Sequence, residues 1–506
     1  MTIQRGIAYL IGAGPGDPGL LTLRGAECLN LADVVMYDYL ASPELLSHTR
    51  PDAELICLGR HGHGRLMSQT EICGLMVRHA SEGRSVARLK GGDPAIFARL
   101  AEEISALDAA HVSYEIVPGV TAASAASSYA GIPLTDRDEA SCVAFITGQE
   151  HDQKSAADAL DYGSIAKFPG TLVFYMGITT APNWCGSLIA HGKSPKTPVA
   201  IVRRASLSDQ QGIATTLGDL PRVLLQTKLR PPAVVIVGDV ARDYRDTNWF
   251  NARPLFGKTV LVTRPEHQAD ALARQLQNLG ANVLYQPAIE IAPPGNWAKV
   301  DAVIERLREF DWLVFSSSNG VHFFMQRLLA RGYDARRLAG ARLAGIGPAT
   351  AEALADFHLV ADVQPDEYRA EALAEALGPQ ANGKRILLLR ASRGREVLNE
   401  MLTASGANVE QVVVYDSCDV ATANEEVATA LAASKIDFTT VTSSAIARNL
   451  ISLFGDSLRK TKLAAISPLT ADVLSSAGFP AAVIAKTFTS EGIVEAILEY
   501  PGRRTS

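Results

Sequence analysis

The chain of 506 residues has no apolar run near the roughly 20 residues that a membrane-spanning helix requires. The short stretch GIAYLIG at residues 6–12 runs into glycines rather than a small-residue cleavage site, so neither a secretory leader nor a membrane contact is expected, and a cytoplasmic location is. Cysteine is scarce: Cys28, Cys57, Cys73, Cys142, Cys185 and Cys418 are scattered, with no C-x-x-C pair to found a metal site or a disulfide framework. There is no excess of positive charge, 48 Lys and Arg facing 54 Asp and Glu for a net charge of −6, which argues against nucleic acid as a partner. An anionic small-molecule substrate must therefore meet a local cluster of arginines rather than a global positive field.

The length allows about three to four domains. In the first half β-rich runs (IAYLIG, VVMYD, SVARLKGGD, YEIVPG, CVAFITG, TLVFYMG, TPVAIV, AVVIVGDV) alternate with helical patterns. That alternation predicts an α/β fold with largely parallel sheets and sites at the carboxyl ends of strands. Residues 243–258, DYRDTNWFNARPLFGK, have no periodicity and precede a fresh strand, TVLVTR, which places the main boundary there. Beyond it the sequence repeats. GKTVLVTRPEHQADALARQLQNLGANV from Gly257 aligns with GKRILLLRASRGREVLNEMLTASGANV from Gly383 at a shift of 126, and AGIGPATAEAL aligns with AAISPLTADVL at a shift of 120. Two copies of one β-α unit predict two like lobes with a ligand cleft between them.

GPGDPG, from Gly14, matches the G-x-G-x-x-G of dinucleotide folds, but Pro15 and Pro18 each remove a backbone donor that pyrophosphate would need. Three more strand ends lack side-chain bulk: Gly91 and Gly92 in RLKGGDPAIF, VPGVTAASAASSYAG around Thr121, and Met176 with Gly177 in TLVFYMG. Close packing of helix on strand accounts for each singly. Together they describe a crevice walled by backbone, which suits S-adenosylmethionine better than a phosphate-bearing nicotinamide cofactor.

The set YLIGAGPGDPGLLTLRGAECLNLADVVMYD, RLKGGDP, VPGVTAASAASSYAGIPLTDRD and TLVFYMG resembles the tetrapyrrole methylase family, and within it the uroporphyrinogen-III C-methyltransferases, over about residues 7–240. The resemblance implies two α/β domains with S-adenosylmethionine between them, at residues 1–118 and 119–242. It implies donor contacts at Pro15, Gly91, Gly92, Asp93, Ile96, Thr121, Ala122, Met176 and Ala205, and a proton acceptor at Asp38. Arg60 stands where the family has a lysine proton donor, and a guanidinium, too weak an acid for that work, suits a substrate carboxylate instead. A homodimer through this half is also implied.

VLVTRPE, DWLVFSSSNGVHFF, AGIGPATAEAL, ILLLRA, VVVYDS, VTSSAIARNL and AAISPLTADVL together resemble the uroporphyrinogen-III synthases over about residues 257–498. That resemblance implies a cofactor-free enzyme after a linker at 243–256, with lobe one at 257–287 and 418–500 and lobe two at 288–417. Tyr415 maps to the family's tyrosine and Thr470 to the threonine of its G-P-x-T motif, where Ser467 replaces the glycine. Arg264, Ser317, Ser318, Arg390, Thr442, Ser443 and Ser444 are the further expected substrate contacts, from arginines and hydroxyls at strand ends. The combined expectation is ring closure of hydroxymethylbilane to uroporphyrinogen III, then two methylations to precorrin-2. The alternatives are a methylase of a later precorrin beside a non-catalytic scaffold, and a nicotinamide oxidoreductase.

Overall fold

The computed structural model describes residues 6–59, 67–150, 159–245 and 247–501. The chain divides into two compact units, with the main division between Lys258 and Thr259. In the first unit, β1 (Ile7–Gly12), β2 (Val34–Tyr37), β3 (Glu54–Cys57), β4 (Val86–Lys90) and β5 (Ser113–Val117) form a parallel sheet in the order β3-β2-β4-β1-β5. Parallel strands need crossovers that cover both faces, so β1 and β2 are apolar on both sides, while the edge strands β3 and β5 are partly exposed and carry Glu54 and Glu115. Along β1, Ala8 and Leu10 bury against Met36, Met76 and Leu107, while Tyr9 and Ile11 bury on the opposite face with Cys28, Leu29 and Leu89.

The second sheet holds β6 (Val143–Thr147), β7 (Thr171–Tyr175), β8 (Pro198–Arg203), β9 (Gln211–Thr216) and β10 (Ala233–Val237), in the order β6-β7-β10-β8-β9. Only β6 and β7 are parallel; β10 runs antiparallel to β7 and β8, and β8 and β9 form a hairpin. The expectation of largely parallel sheets fails here because residues 204–210, between β8 and β9, are too few for the crossover that a parallel pair requires. Helix Ala122–Ala130 covers one face with Ala123, Ala126 and Ala130, and on the other face Phe174 stacks on Trp184 with ring centroids 4.0 Å apart.

In the second unit, β11 (Thr259–Val262), β12 (Asn282–Tyr285), β18 (Phe438–Val441), β19 (Lys462–Ala465) and β20 (Val483–Ile484) form one sheet in the order β12-β11-β18-β19-β20. The other is β13-β17-β16-β14-β15, built from β13 (Ile289–Ala292), β14 (Trp312–Phe315), β15 (Arg342–Gly345), β16 (Arg385–Ala391) and β17 (Asn408–Asp419). The shift of 126 carries β11 onto β16, β12 onto β17 and β14 onto β18, and the shift of 120 carries β15 onto β19. The two sheets thus share one strand order, and each takes one strand pair from each copy of the repeat. β17 pairs with β16 in parallel, then its far end pairs antiparallel with β13, forming a two-stranded ribbon. Buried Asn449 fixes the start of that ribbon, its Nδ2 donating to the carbonyls of Ala288 at 2.5 Å and Val420 at 3.0 Å.

Among the described residues no helix is long and apolar enough to cross a membrane, and no His, Cys, Asp and Glu group could hold a metal ion.

Three loops of the first unit meet where no side chain fits. A Cβ on Gly12 would lie 2.6 Å from Gly119 Cα and 2.8 Å from the Gly92 carbonyl oxygen, and one on Gly119 would collide with that oxygen and lie 2.7 Å from Gly12 Cα. Gly119→Ala is expected to destabilise the first unit by about 1–3 kcal/mol, since backbone must move to admit the methyl group. Gly186→Ala, inside helix Ala181–Ala190 with nothing within 4 Å of the new carbon, is expected to stabilise it by about 0.5–1 kcal/mol. Calorimetric unfolding of the two variants checks both signs.

Candidate active sites

The GPGDPG loop is closed on itself. Gly14 and Gly92 exchange backbone hydrogen bonds at 3.2 and 2.7 Å, and Ala13 N donates to Lys90 O at 2.7 Å. Asp17 N donates to Ser206 Oγ at 3.0 Å, and Asp17 Oδ1 accepts from Gly19 N at 2.8 Å, capping the turn Pro18–Leu20. With Pro15 and Pro18 lacking an N–H and those of Ala13, Gly14, Asp17 and Gly19 already bonded, the loop has few donors left with which to cradle a pyrophosphate. Positive φ at Gly14 (72°) and Gly92 (74°) is what allows the two turns to face each other.

The other strand ends join the same crevice. Asp93 accepts from Ala95 N at 2.8 Å and from Gly119 N at 3.0 Å, linking the ends of β4 and β5. Tyr175 receives Ala123 N at 2.9 Å and shares a 2.7 Å hydrogen bond with Thr121, which ties β7 to the start of helix Ala122–Ala130. Phe97 and Phe145 pack around Tyr175 with centroids at 5.0 and 5.8 Å. Met176 follows at φ 52° with half its surface exposed, and Ala205 is buried between Arg204 at φ 50° and Ser206 at φ 70°. Pro15, Gly91, Gly92, Asp93, Thr121, Ala122, Met176 and Ala205 thus stand at loops that this network connects, with Ile96 in the turn after Asp93, whose own N–H donates to Asp93 O. None of these residues carries a positive charge, and the carboxylate of Asp93 is occupied by backbone donors. Tyr175 and Phe97 were not singled out from the sequence; for Tyr175 the aromatic residue closing TLVFY was the available signal.

At the end of β2, Asp38 Oδ1 pairs with Arg88 Nη2 at 2.8 Å. Arg88 also meets Glu103 at 3.2 Å, and Lys90 Nζ donates to the second Glu103 oxygen at 2.5 Å. Arg88, Lys90 and Glu103 are buried, so Asp38 is the outer member of a four-charge cluster that balances to zero. Burial, and then the neighbouring Arg88 charge, push the Lys90 ammonium below its usual value. Spacing of two along β4 puts Arg88 and Lys90 on one face, opposite Glu103 on helix Leu100–Ala109. Arg60 lies outside the described residues.

In the second unit the hydroxyls expected at strand ends are helix caps. Ser317 Oγ accepts from Gly320 N at 3.1 Å and Ser443 Oγ from Ile446 N at 3.2 Å, at positions related by the shift of 126. Ser318 and Ser444 are the first residues of those two helices, and Thr442 lies just before Ser443. Tyr415 Oη is 2.9 Å from Ser317 Oγ, and its ring stacks on Phe323 with centroids at 5.7 Å. Burial raises the Tyr415 phenol above its ordinary value, against the opposing hydrogen bonds from Ser317 and Asn319. Asn319 Oδ1 in turn accepts from Gln268 Nε2 at 2.8 Å, on the helix after β11, so one polar chain reaches from Tyr415 into the other lobe. Asn319 and Gln268 were missed because amides in helical stretches carry no periodic signal.

The two arginines of the repeat differ. Arg264 donates to Ser490 Oγ at 2.8 Å, and burial lowers its pKa. Arg390 is held by the Glu396 carboxylate, by Gln411 Oε1 at 2.8 Å and by Gly394 O at 3.3 Å. Thr470 is 2% exposed, its Oγ1 3.2 Å from Ser467 Oγ, which caps helix Pro468–Ser476.

Glycine-walled strand ends tied into one loop network beside a charge-anchored aspartate, followed by two sheets of like strand order whose helix starts are capped by hydroxyls, are the framework of a chain that joins two α/β enzyme folds. The tetrapyrrole (corrin/porphyrin) methylase family matches residues 8–221, and the uroporphyrinogen-III synthase HemD family matches residues 270–495. The chain is 32% identical over 502 residues to the porphyrin biosynthesis protein HemD of Ruminiclostridium josui, covering 99% of both chains. It is 36% identical over 369 residues to the uroporphyrinogen-III C-methyltransferase of Bacillus subtilis, covering 73% of this chain and 75% of that one. With the siroheme synthase of Sodalis glossinidius it shares 46% identity over 250 residues, 49% of this chain and 52% of that one. The chain belongs to the family that joins a tetrapyrrole methylase to a uroporphyrinogen-III synthase.

Replacing the buried anion of the charge cluster tests its weight. Glu103→Gln is expected to cost about 3–5 kcal/mol in urea unfolding of the first unit, because it leaves Arg88 and Lys90 without their shared partner.

Proposed function

We propose that the second unit closes hydroxymethylbilane to uroporphyrinogen III and that the first unit methylates this product at C2 and C7, giving precorrin-2. The observation that carries the reading is the pairing in one chain of a glycine-walled, proline-bearing loop network with hydroxyl-capped helix starts that recur at a shift of 126. The methylase domains are proposed as 1–118 and 119–242, the linker as 243–256, and the synthase lobes as 257–287 with 418–500 and 288–417. A cytoplasmic homodimer formed through the methylase half completes the proposal.

The crevice fits S-adenosylmethionine, because two of its strand ends meet through Gly12 and Gly119 and none of the residues assigned to it carries a positive charge for a phosphate, whereas a sulfonium brings its own. When bound, S-adenosylmethionine supplies an electrophilic methyl group. The residues assigned to hold it are Pro15, Gly91, Gly92, Asp93, Ile96, Thr121, Ala122, Met176 and Ala205. The tetrapyrrole that gains a methyl must release a proton, and Asp38 accepts it, its carboxylate held in place by Arg88. Arg60 anchors a substrate carboxylate.

In the second unit, departure of the hydroxymethyl oxygen as water leaves a delocalised cation, so the protein has chiefly to hold the chain ends in the geometry of the inverted closure. Tyr415, neutral through the working pH range, donates to the departing hydroxyl. Ser317, Ser318, Thr442, Ser443 and Ser444 present hydroxyls and helix N-termini to the carboxylates. Arg264 adds a positive charge, Arg390 holds the end of β16, and Thr470 acts through the helix start that Ser467 caps.

Supplying hydroxymethylbilane with and without S-adenosylmethionine, and separating products by isomer and mass, tests both activities. Type III product and a gain of two methyl groups are expected. Type I product alone overturns the synthase assignment, and no added methyl overturns the transferase. Asp38→Asn is expected to slow methyl transfer by about 10²–10⁴-fold while leaving ring closure unchanged. Tyr415→Phe is expected to slow ring closure by about 10²-fold. Because burial raises the phenol, wild-type ring closure is expected to show no loss from Tyr415 ionisation below its ordinary pKa of about 10.

A further inference from the structure

The segment that the sequence marks as a linker is built into the first unit. Asn248 Oδ1 accepts from Phe250 N at 2.9 Å and Asn251 N at 3.1 Å, which turns the chain back on itself. Trp249 Nε1 donates to Ser128 O at 2.8 Å, and Tyr129 packs against Trp249 and Phe250 with centroids at 5.3 and 4.7 Å. The Arg253 guanidinium lies over both the Trp249 and Phe250 rings, at 4.8 and 4.6 Å. Phe250 is 2% exposed, as a core residue would be.

Two paths lead from this segment to the GPGDPG loop. In one, the Tyr129 hydroxyl, its ring fixed by Trp249 and Phe250, donates to Asp17 Oδ2 at 2.7 Å. In the other, Asn251 Oδ1 accepts from Gln210 Nε2 at 3.3 Å, Gln210 Oε1 accepts from Ser206 N at 3.0 Å, and Ser206 Oγ accepts from Asp17 N. Gln210 Nε2 also donates to Tyr129 O at 3.0 Å, which joins the paths. Gln210 and Ser206 are 3% and 5% exposed, so water does not readily replace these bonds. Leu207 fills the space beside Gly16, where a Cβ would come within 2.8 Å of its Cγ. The turn carrying Ala205 and the loop carrying Pro15 are therefore locked to each other, and the lock closes on residues 248–253.

We propose that Trp249, Phe250 and Asn251 are positioning residues of the methyl-donor site, holding the Pro15 loop and the Ala205 turn at the separation that the donor needs. The proposal rests on the assignment of that crevice to S-adenosylmethionine. It gives residues 248–253 a function in the first unit beyond connecting it to the second.

The test uses the full chain. Trp249 is 52% exposed and Asn251 half-buried with its side-chain oxygen on Gln210, so Trp249→Ala and Asn251→Ala each remove one anchor without emptying a core position. Each is expected to raise the KM for S-adenosylmethionine by about fivefold, with kcat of methyl transfer at saturating donor and the synthase rate within twofold of wild type. Trp249→Phe, which keeps the ring on Tyr129 but not the bond to Ser128, is expected to recover most of the donor affinity. All assays run well below the measured Tm of each variant, which separates positioning from loss of fold. Ala122→Leu, in the crevice itself, is the control for the assignment. If Ala122→Leu weakens donor binding while both alanine variants leave it unchanged, the positioning proposal is overturned. If Ala122→Leu also leaves binding unchanged, the assignment of the crevice fails instead.

Discussion

The first unit depends on one constraint: backbone must touch backbone where β1, β4 and β5 end. Gly12 and Gly119 meet each other and the Gly92 carbonyl at distances that exclude a methyl group on either, and Gly14 and Gly92 exchange backbone bonds beside that contact. Everything assigned to the donor is placed relative to this point. Asp93 reaches Gly119 N across it, and the helix preceded by its N-cap Thr121 starts at Ala122, three residues beyond Gly119. The glycines are thus neither flexible nor interchangeable. Their lack of a side chain is what lets three loops share one wall.

The same constraint explains why a literal dinucleotide motif misleads. In a phosphate-binding turn the N–H groups after the first strand are left unpaired and point outward. Here Gly14, Asp17 and Gly19 use theirs on Gly92, Ser206 and Asp17, and two prolines have none to offer. The prolines were legible in the sequence, and they decide the matter on chemistry before any geometry is known. The partners that complete the argument, Gly92 and Ser206, lie 78 and 192 residues from Gly14 along the chain, beyond the reach of any local pattern.

What the sequence revealed and what it hid follow from period and distance. The parallel first sheet was readable because strands buried on both faces are continuous apolar runs. The repeat was readable because two shifts, 126 and 120, each preserve strand and cap together, and their difference left room for loops of unequal length. The antiparallel β9 and β10 were not, since QGIATT and AVVIV carry no mark of direction; only the short loop before β9 does. The cluster of Asp38, Arg88, Lys90 and Glu103 was half visible. Two cations at alternate positions in an apolar strand demand a buried anion, but the sequence does not say that Glu103, rather than Glu102 beside it, turns inward.

The two lobes of the second unit were built from the same repeat yet have diverged in a way that bears on binding. Ser317 and Ser443 keep the same capping bond, each satisfying one N–H of the first turn in its own copy of the repeat. The arginines do not keep the same role. Arg390 is neutralised by Glu396 and fixed by Gln411, whereas Arg264 is desolvated and bonded to a serine, with the Glu491 charge acting on it only as a secondary influence. On the proposed function, a substrate with carboxylates along its whole length would meet the Arg264 charge beside the Ser443 cap and a guanidinium already paired with Glu396 beside the Ser317 cap. Under the proposed ring closure, that asymmetry on a symmetric scaffold would orient a chain whose two ends must be told apart before they are joined.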